Sequence, residues 1–156
     1  DRDWSSDVCS SDRDHVPWTT FTDPEVAHVG FTESQARAKF GDGVIASTFP
    51  MNRVDRAIRV DRAITEGDTS GFIKVIHRRN GKVLGATIVS GRAGEMIHEY
   101  ALAMDKGLKI RDLAESIHVY PTYSIGTMQL AAQIRVDQVM KGSTGRFLSG
   151  LTKLAR

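Results

Sequence analysis

Apolar positions follow the spacing of strands at the start of the chain and of helices towards its end. Residues 16–33 hold two β-prone segments around an Asp-Pro turn, and residues 44–51 read as a strand that ends near Pro50. The stretch between them predicts a short helix, with Thr32 as its N-cap and Gly41 as its C-terminal stop. The first third of the chain therefore predicts strands with one small helix.

The clearest pattern is a β-hairpin. Residues 72–77 and 82–89 are rich in β-branched side chains and bracket the pair Asn80-Gly81. We expect this pair to supply the positive φ angles of a tight turn.

Helical spacing begins after the hairpin. The apolar positions of the first helix are Met96, Ile97, Tyr100, Ala101, Met104 and Leu108, and Gly107 marks its end. Residues 109–117 predict a second short helix, and residues 124–140 a third. We assign the buried face of the third helix to Ile125, Met128, Ala132 and Val136. The order of elements predicts an α+β fold, an antiparallel sheet with helices packed on one face.

Composition narrows the class of protein. The chain has 156 residues, 40% of them hydrophobic, and a formal net charge of +2, which argues against a nucleic-acid partner. The single cysteine, Cys9, excludes an internal disulfide and a four-thiolate zinc site. The sequence has neither a run of about 18 apolar residues nor a signal-peptide pattern, so we expect a cytoplasmic protein without a membrane span.

The chain divides into three parts. We expect residues 1–15, rich in Asp and Ser, to be a disordered or foreign segment, and residues 16–140 to form the domain. Residues 141–156 form a tail that can become helical, either covering the domain or a partner, or lying on a membrane surface. The hexamer RVDRAI occurs at 53–58 and again at 59–64, and we interpret it as a duplication in a loop.

Familiar catalytic motifs are missing. The sequence contains no GxGxxG after a strand, no Walker motif, no GxSxG and no HExxH. None of the five histidines has metal-ligand spacing, so no metal site is predicted. His28 is expected on a strand face, and His77, beside the hairpin turn, is expected to be solvated. Taken alone, the chain lacks the parts of a complete enzyme.

Four stretches together resemble a known family. They are residues 16–33, 62–75 (RAITEGDTSGFIKV), 81–97 (GKVLGATIVSGRAGEMI) and 120–124 (YPTYS). In this order they are similar to the C-terminal dimerisation domain of the pyridine nucleotide-disulfide oxidoreductases, in a branch like dihydrolipoamide dehydrogenase or mercuric reductase. The resemblance implies a homodimer and upstream FAD- and NAD(P)-binding domains that this chain lacks. It also implies a domain that reaches over the partner's flavin and supplies an acid/base residue there.

That residue is where this sequence departs from the family pattern H-P-T-x-S-E. Tyr120 stands in place of the histidine and Ile125 in place of the glutamate. A tyrosine with a pKa near 10 is a poor proton shuttle at neutral pH. His118, two positions earlier, shares a face with Tyr120 on an extended segment and is a candidate substitute. We predict a cis Tyr120-Pro121 bond, with both residues near the partner's flavin.

These observations give two function hypotheses. The first is a fragment of an FAD-dependent NAD(P)H oxidoreductase that pairs subunits, completes the partner's flavin site and binds no cofactor by itself. The alternative is a freestanding dimerising interaction domain without catalytic activity. The acceptor substrate and the choice between NADH and NADPH stay open.

Overall fold

The structure, a computed structural model, describes residues 15–53 and 70–141 of the chain. The segment before His15, the tail beyond Lys141 and the tandem hexamers apart from Arg53 lie outside the described residues. The predictions made for these three stretches are therefore left as they stand.

The described residues form five strands and four helices. The strands are β1 (Trp18–Thr20), β2 (Glu25–Gly30), β3 (Val44–Pro50), β4 (Phe72–Arg78) and β5 (Val83–Ser90). The helices are α1 (Glu33–Phe40), α2 (Ala93–Asp105), α3 (Ile110–Glu115) and α4 (Ile125–Lys141). Short 3₁₀ turns follow α1 and β3.

The strands make one antiparallel sheet in the order β1-β2-β5-β4-β3. The predicted α+β fold is confirmed. Helices α2, α3 and α4 pack on one face through a single large core cluster, while the small helix α1 packs with a second cluster of buried residues. The central strands β5 and β4 are thus covered by helices, and β3 and β1 form the two edges.

Local signals predicted α1 correctly. Thr32 caps its N-terminus, because its hydroxyl accepts from the backbone N–H of Gln35 while the Gln35 side chain accepts from the Thr32 N–H. Gly41 ends the helix with a φ of 64°, a left-handed conformation that favours glycine. Both devices act within a few residues, which is why the sequence reveals them.

The hairpin turn differs from the predicted one. The backbone N–H of Gly81 donates to the carbonyl of Arg78, and Gly81 has a φ of 85°. Asn80 does not adopt a positive φ, since no described residue other than glycine does. The Arg78 N–H also donates to the Lys82 carbonyl, so residues 79–81 form a three-residue loop with one left-handed glycine, and not a two-residue turn that needs two.

Helix α2 buries the face that its spacing predicted. Met96, Ile97, Tyr100, Ala101 and Met104 all lie in the core. Leu108 is the exception, at 38% exposure, because the helix ends at Asp105 and the chain turns away at Gly107 with a φ of 67°. Full burial of such side chains contributes about 1.5–3 kcal/mol each, so this face holds α2 firmly to the sheet.

The buried face assigned to the last helix is only partly right. Ile125 is buried and Met128 packs against the core, but Ala132 and Val136 are exposed, Val136 at 60%. The positions that α4 buries instead are Leu130, Ala131 and Ile134. The helix carries two apolar stripes, and periodicity alone does not say which stripe meets the sheet.

Gly85 is required where β5 passes Phe31. A β-bulge leaves Leu84 without a directly paired residue, since His77 pairs with Val83 and Ile76 with Gly85. The loop after β2 crosses Gly85 so closely that a Cβ there would lie 2.2 Å from the carbonyl oxygen of Phe31. That oxygen belongs to the backbone, so it cannot rotate away as a side chain would.

We therefore expect Gly85→Ala to lower the free energy of unfolding by about 2 kcal/mol or more, because the added methyl overpacks the backbone. Gly43→Ala is the matched control, since its Cβ would meet only the end of the Arg78 side chain, at 3.7 Å. Urea unfolding of both variants measures the difference. Equal stabilities for the two variants would contradict the close approach.

Candidate functional site

The loop between α3 and α4, residues 116–124, carries the residues singled out by the sequence. Helix α3 ends at Glu115, and Ser116 is already extended, with φ −72° and ψ 123°. The predicted cis peptide bond between Tyr120 and Pro121 is confirmed. The chain therefore leaves α3 in an extended conformation.

Side chains alternate along the first half of this loop. Ile117 is 96% exposed and Val119 is 76% exposed, whereas the side chain of His118 between them is only 10% exposed. This is the period of two that an extended segment imposes. Tyr120 follows at 44% exposure. The loop thus points apolar groups outward and one imidazole inward.

The second half of the loop is anchored. The Thr122 hydroxyl donates to the carbonyl oxygen of Val119 at 2.6 Å, and Tyr123 is 7% exposed within the core. The N–H of Ile125 donates to the carbonyl of Thr122 as α4 begins. The position of Tyr120 is therefore limited from the α4 side by a buried ring and by backbone hydrogen bonds.

His118 is held from the other side by α2. Its Nε2 lies 3.0 Å from both carboxylate oxygens of Glu99, and its Nδ1 lies 3.0 Å from the carbonyl oxygen of Ser116. The Glu99 side chain is 22% exposed. Burial raises the pKa of the Glu99 carboxyl, and the hydrogen bond and positive charge of His118 act in the opposite direction.

The structure brings some predicted site residues together and separates others. His118, Tyr120 and Pro121 share the loop, as the sequence requires, and Ile125 is buried at the start of α4. The imidazole of His118 has a carboxylate partner, but that partner is Glu99, which sequence reasoning missed. No local signal marks it, because the contact joins residues 19 positions apart.

A second feature is a groove of about 800 Å³ between β3 and α4, lined by Ser47, His77 and Asp137 among others. The expectation that His77 is solvated is wrong, since His77 is 1% exposed. Strand register places it opposite Ile45, on the face that α4 covers.

The ring of His77 is fully hydrogen-bonded. Its Nδ1–H donates to the Arg78 carbonyl at 3.0 Å, so Nε2 accepts from the hydroxyl of Ser47, also at 3.0 Å. Burial lowers the pKa of His77, and the hydrogen bond to Arg78 only partly offsets this. We interpret His77 as a neutral structural residue.

Two further expectations concern metals and membranes. Among the residues that the structure describes, no group of three or more His, Cys, Asp or Glu side chains is arranged to hold a metal ion. No helix within 15–53 and 70–141 is long and apolar enough to cross a bilayer.

His28 lies on β2, where its Nε2–H donates to the carbonyl of Gly30 and its Nδ1 accepts from Thr87.

Comparison with known sequences identifies relatives of this domain. Residues 16–130 match the family described as pyridine nucleotide-disulphide oxidoreductase, dimerisation domain. A dihydrolipoyl dehydrogenase of Halobacterium salinarum is 41% identical over 117 residues, 74% of this chain and 23% of that protein. The Bacillus subtilis dihydrolipoyl dehydrogenase is 38% identical over 117 residues, with the same 74% and 23% coverage. The chain thus spans about a quarter of the length of these relatives.

Solved structures share the fold. The HOCl-induced flavoprotein disulfide reductase RclA from Escherichia coli matches with a TM-score of 0.70 and 31% identity, over 79% of this chain and 27% of that chain. LpdA from Mycobacterium tuberculosis matches with a TM-score of 0.66 and 30% identity, over 76% of this chain and 25% of that chain. In both, the similar region is a minor part of a longer chain.

The buried imidazole of His77 predicts a pH dependence of stability. A lowered pKa in the folded state means that the unfolded chain binds a proton first as the pH falls below the usual histidine value of 6.5. The free energy of unfolding therefore falls as pH decreases from there towards the folded pKa. We expect His77→Asn to remove this fall. Urea unfolding at a series of pH values measures the free energy of unfolding of both chains.

The control for that experiment is His98→Asn, because His98 is exposed on α2. This variant shows how much the loss of an exposed histidine changes the pH dependence of the free energy of unfolding. A His77→Asn slope that coincides with that of the unmodified chain would contradict the neutral, buried assignment.

Proposed function

Because the chain belongs to the dimerisation-domain family of the pyridine nucleotide-disulphide oxidoreductases, we propose that it pairs the subunits of an FAD-dependent NAD(P)H oxidoreductase. The observation that carries the proposal is the exposed apolar surface on α4 and on the loop before it. On α4, Val136, Val139 and Met140 are 60%, 49% and 60% exposed, whereas Leu130 and Ile134 of the same helix are buried in the core. Such surface on a small domain marks an interaction site.

The first part of the proposal is a homodimer formed through the outer stripe of α4. Ala132, Val136, Val139 and Met140 are exposed at helical spacing, so they form one stripe along the helix. Two copies of a helix can pair such a stripe about a two-fold axis, because the same patch then serves both subunits. This stripe is the one that the sequence pattern had assigned in part to the core.

The second part is that the loop of residues 116–124 completes the flavin site of the partner subunit. Tyr120 stands where the family has its acid/base histidine, and both Tyr120 and Pro121 are exposed at the tip of the loop. Aromatic and proline rings suit packing against a flat, largely apolar ring system. The chemistry of the loop therefore fits a flavin, which the missing upstream domains would bind.

Proton transfer by the usual dyad is not part of this proposal. Tyr120 and Ile125 replace its histidine and glutamate, and isoleucine can neither orient nor charge a tyrosine. We assign Tyr120 to stacking on the flavin or to donating a hydrogen bond to the substrate. His118 is the second candidate, after Tyr120, because both of its ring nitrogens already face acceptors within the domain.

The cofactors belong to the complete parent protein. FAD, when bound there, would supply hydride chemistry with NAD(P)H as the reductant and an acceptor as the oxidant. This chain would contribute pairing, a wall over the flavin and the Tyr120 side chain, and it would bind neither cofactor alone. We keep the cytoplasm as the proposed location, on the basis of the single cysteine in the sequence.

The dimer interface predicts the effect of a buried charge. We expect Val136→Glu to raise the dimer dissociation constant at least about tenfold, because the carboxylate would be desolvated at the two-fold seam. Light scattering after size exclusion, over a range of concentrations, measures this. Phe21→Glu is the control, since Phe21 is 81% exposed in the turn between β1 and β2, away from α4.

A chain that dissociates with Phe21→Glu but not with Val136→Glu would place the interface elsewhere. A chain that is monomeric at every concentration would favour a domain that pairs only when its upstream domains are present.

The role of Tyr120 is tested in the full-length protein, once the upstream reading frame is recovered. We expect Tyr120→Ala to lower kcat/KM at least about tenfold, because it removes the ring from the flavin site. Tyr120→Phe separates the two roles, since it keeps stacking and loses only the hydroxyl. Phe21→Ala, at an 81% exposed position in the turn between β1 and β2, is the control. Unchanged kinetics in Tyr120→Ala would exclude the proposed site.

A further inference from the structure

The groove of about 800 Å³ between β3 and α4 has the character of a docking surface for an amphipathic segment. Its lining residues on α4 recur at helical spacing and form one stripe, distinct from the outer stripe proposed for the dimer: Leu130, Gln133, Ile134, Asp137 and Gln138. Leu130 and Ile134 are buried, whereas Gln133 and Asp137 are exposed. The groove therefore has an apolar floor and a polar rim, as protein interfaces do.

Both carboxylates that line the groove lie at the same end of it. The Gln138 side chain donates to the Arg79 carbonyl at 3.5 Å, which places the last part of α4 beside the turn between β4 and β5. Strand β3 begins beside that turn, because its first residue pairs with the last residue of β4. Asp42, just before β3, and Asp137, on α4, therefore lie near the C-terminal end of α4.

The sequence that follows α4 has the pattern that such a groove requires. Residues 142–156 contain no acidic side chain and three basic ones, Arg146, Lys153 and Arg156. Four large apolar residues have the i, i+1, i+4, i+7 spacing of one helical face: Phe147, Leu148, Leu151 and Leu154. A helix this short is marginal in water by itself, so the predicted helix needs a surface that covers its apolar face.

Length and connectivity favour the adjacent groove as that surface. Gln138 lies three residues before the end of α4, about 4.5 Å along the helix axis. Residues 142–145, with a glycine at each end, are long enough for the connection that joins two antiparallel helices. A helix over residues 146–154 and the stripe over residues 130–138 would each span about 13 Å. The segment can therefore return along α4 and match the groove in length.

We propose that residues 146–154 form an amphipathic helix that docks in the groove of its own chain, antiparallel to α4. The apolar face of this helix covers the floor of the groove, and Arg146 lies at the end that carries Asp42 and Asp137. The positive N-terminal end of the helix dipole falls at the same two carboxylates, which stabilises this direction of docking. The inference depends neither on the dimer nor on the flavin.

A cysteine in the groove reports whether the groove is covered. Gln133→Cys places a thiol at an exposed rim position of α4, in a chain whose own cysteine is removed by Cys9→Ser. The rate at which a small disulfide reagent modifies this thiol under native conditions measures its accessibility. His98→Cys is the matched control, because His98 is exposed on α2, which does not line the groove.

We expect the Gln133→Cys thiol to react at least about tenfold more slowly in the 156-residue chain than in a chain that stops after Lys141, because the docked helix must leave before the reagent enters. Leu151→Asp is expected to restore the fast rate, since its carboxylate would be buried against an apolar floor. Ser149→Asp adds the same charge on the opposite face of the predicted helix and is expected to keep the slow rate. The His98→Cys rate is expected to be the same in every chain.

Equal Gln133→Cys rates in the complete and the shortened chain would overturn the inference. Equal rates with Leu151→Asp and Ser149→Asp would do the same, and this comparison decides even if the shortened chain does not fold. Protection that disappears when light scattering shows the chain diluted to a monomer would assign the tail to a second copy. Binding to anionic vesicles that requires residues 142–156, without protection in solution, would assign the tail to a membrane surface. Each of these last two results would also contradict docking within one chain.

Discussion

The burial of one face of α2 against β2 and β5 is the contact on which the rest of the domain depends. Met96, Ile97, Tyr100 and Met104 lie in the core, together with the inward residues of both strands. Because this face fixes the rotation of α2, it also fixes the direction in which Glu99 points. The contact of Glu99 with His118 therefore joins the loop before α4 to a helix whose own place is set by the core.

The same arrangement divides the surface by role. Side chains that face the sheet stabilise the fold, whereas the outward stripe of α4 and the tip of the loop stay exposed and apolar. A domain that stood alone would gain solubility from polar residues at these positions. Their exposure is understandable if a second subunit and the upstream domains cover them, and it is the physical basis for proposing a dimer with a shared flavin site.

The proposed replacement of the family's His-Glu dyad by Tyr120 and Ile125 would change what the loop can do. Ile125 is buried in the core at the start of α4, so the position that would orient an acid/base residue now contributes packing. An imidazole–carboxylate contact does occur between His118 and Glu99. His118 lies two residues before Tyr120, and its side chain faces α2 instead of the loop tip.

The sequence predicted those features whose causes are local. Thr32 and Gly41 bound α1 through contacts within one turn, and the hairpin follows from two β-branched runs around a glycine. Predictions failed where tertiary packing decides. His77 is buried because strand register sets it under α4, and Val136 is exposed because α4 turns its other apolar stripe inward. The contact of Glu99 was not predicted, because its partner, His118, lies outside α2 in the loop before α4.

The most direct test of the account is subunit complementation in the full-length protein. A hybrid dimer is purified in which one protomer carries Tyr120→Ala and the other has an intact loop but an upstream domain that cannot bind FAD. If each loop completes the partner's flavin site, the hybrid retains one working site and about half the activity of the unmodified dimer. Activity no higher than that of the Tyr120→Ala homodimer would show that the loop does not act across the interface.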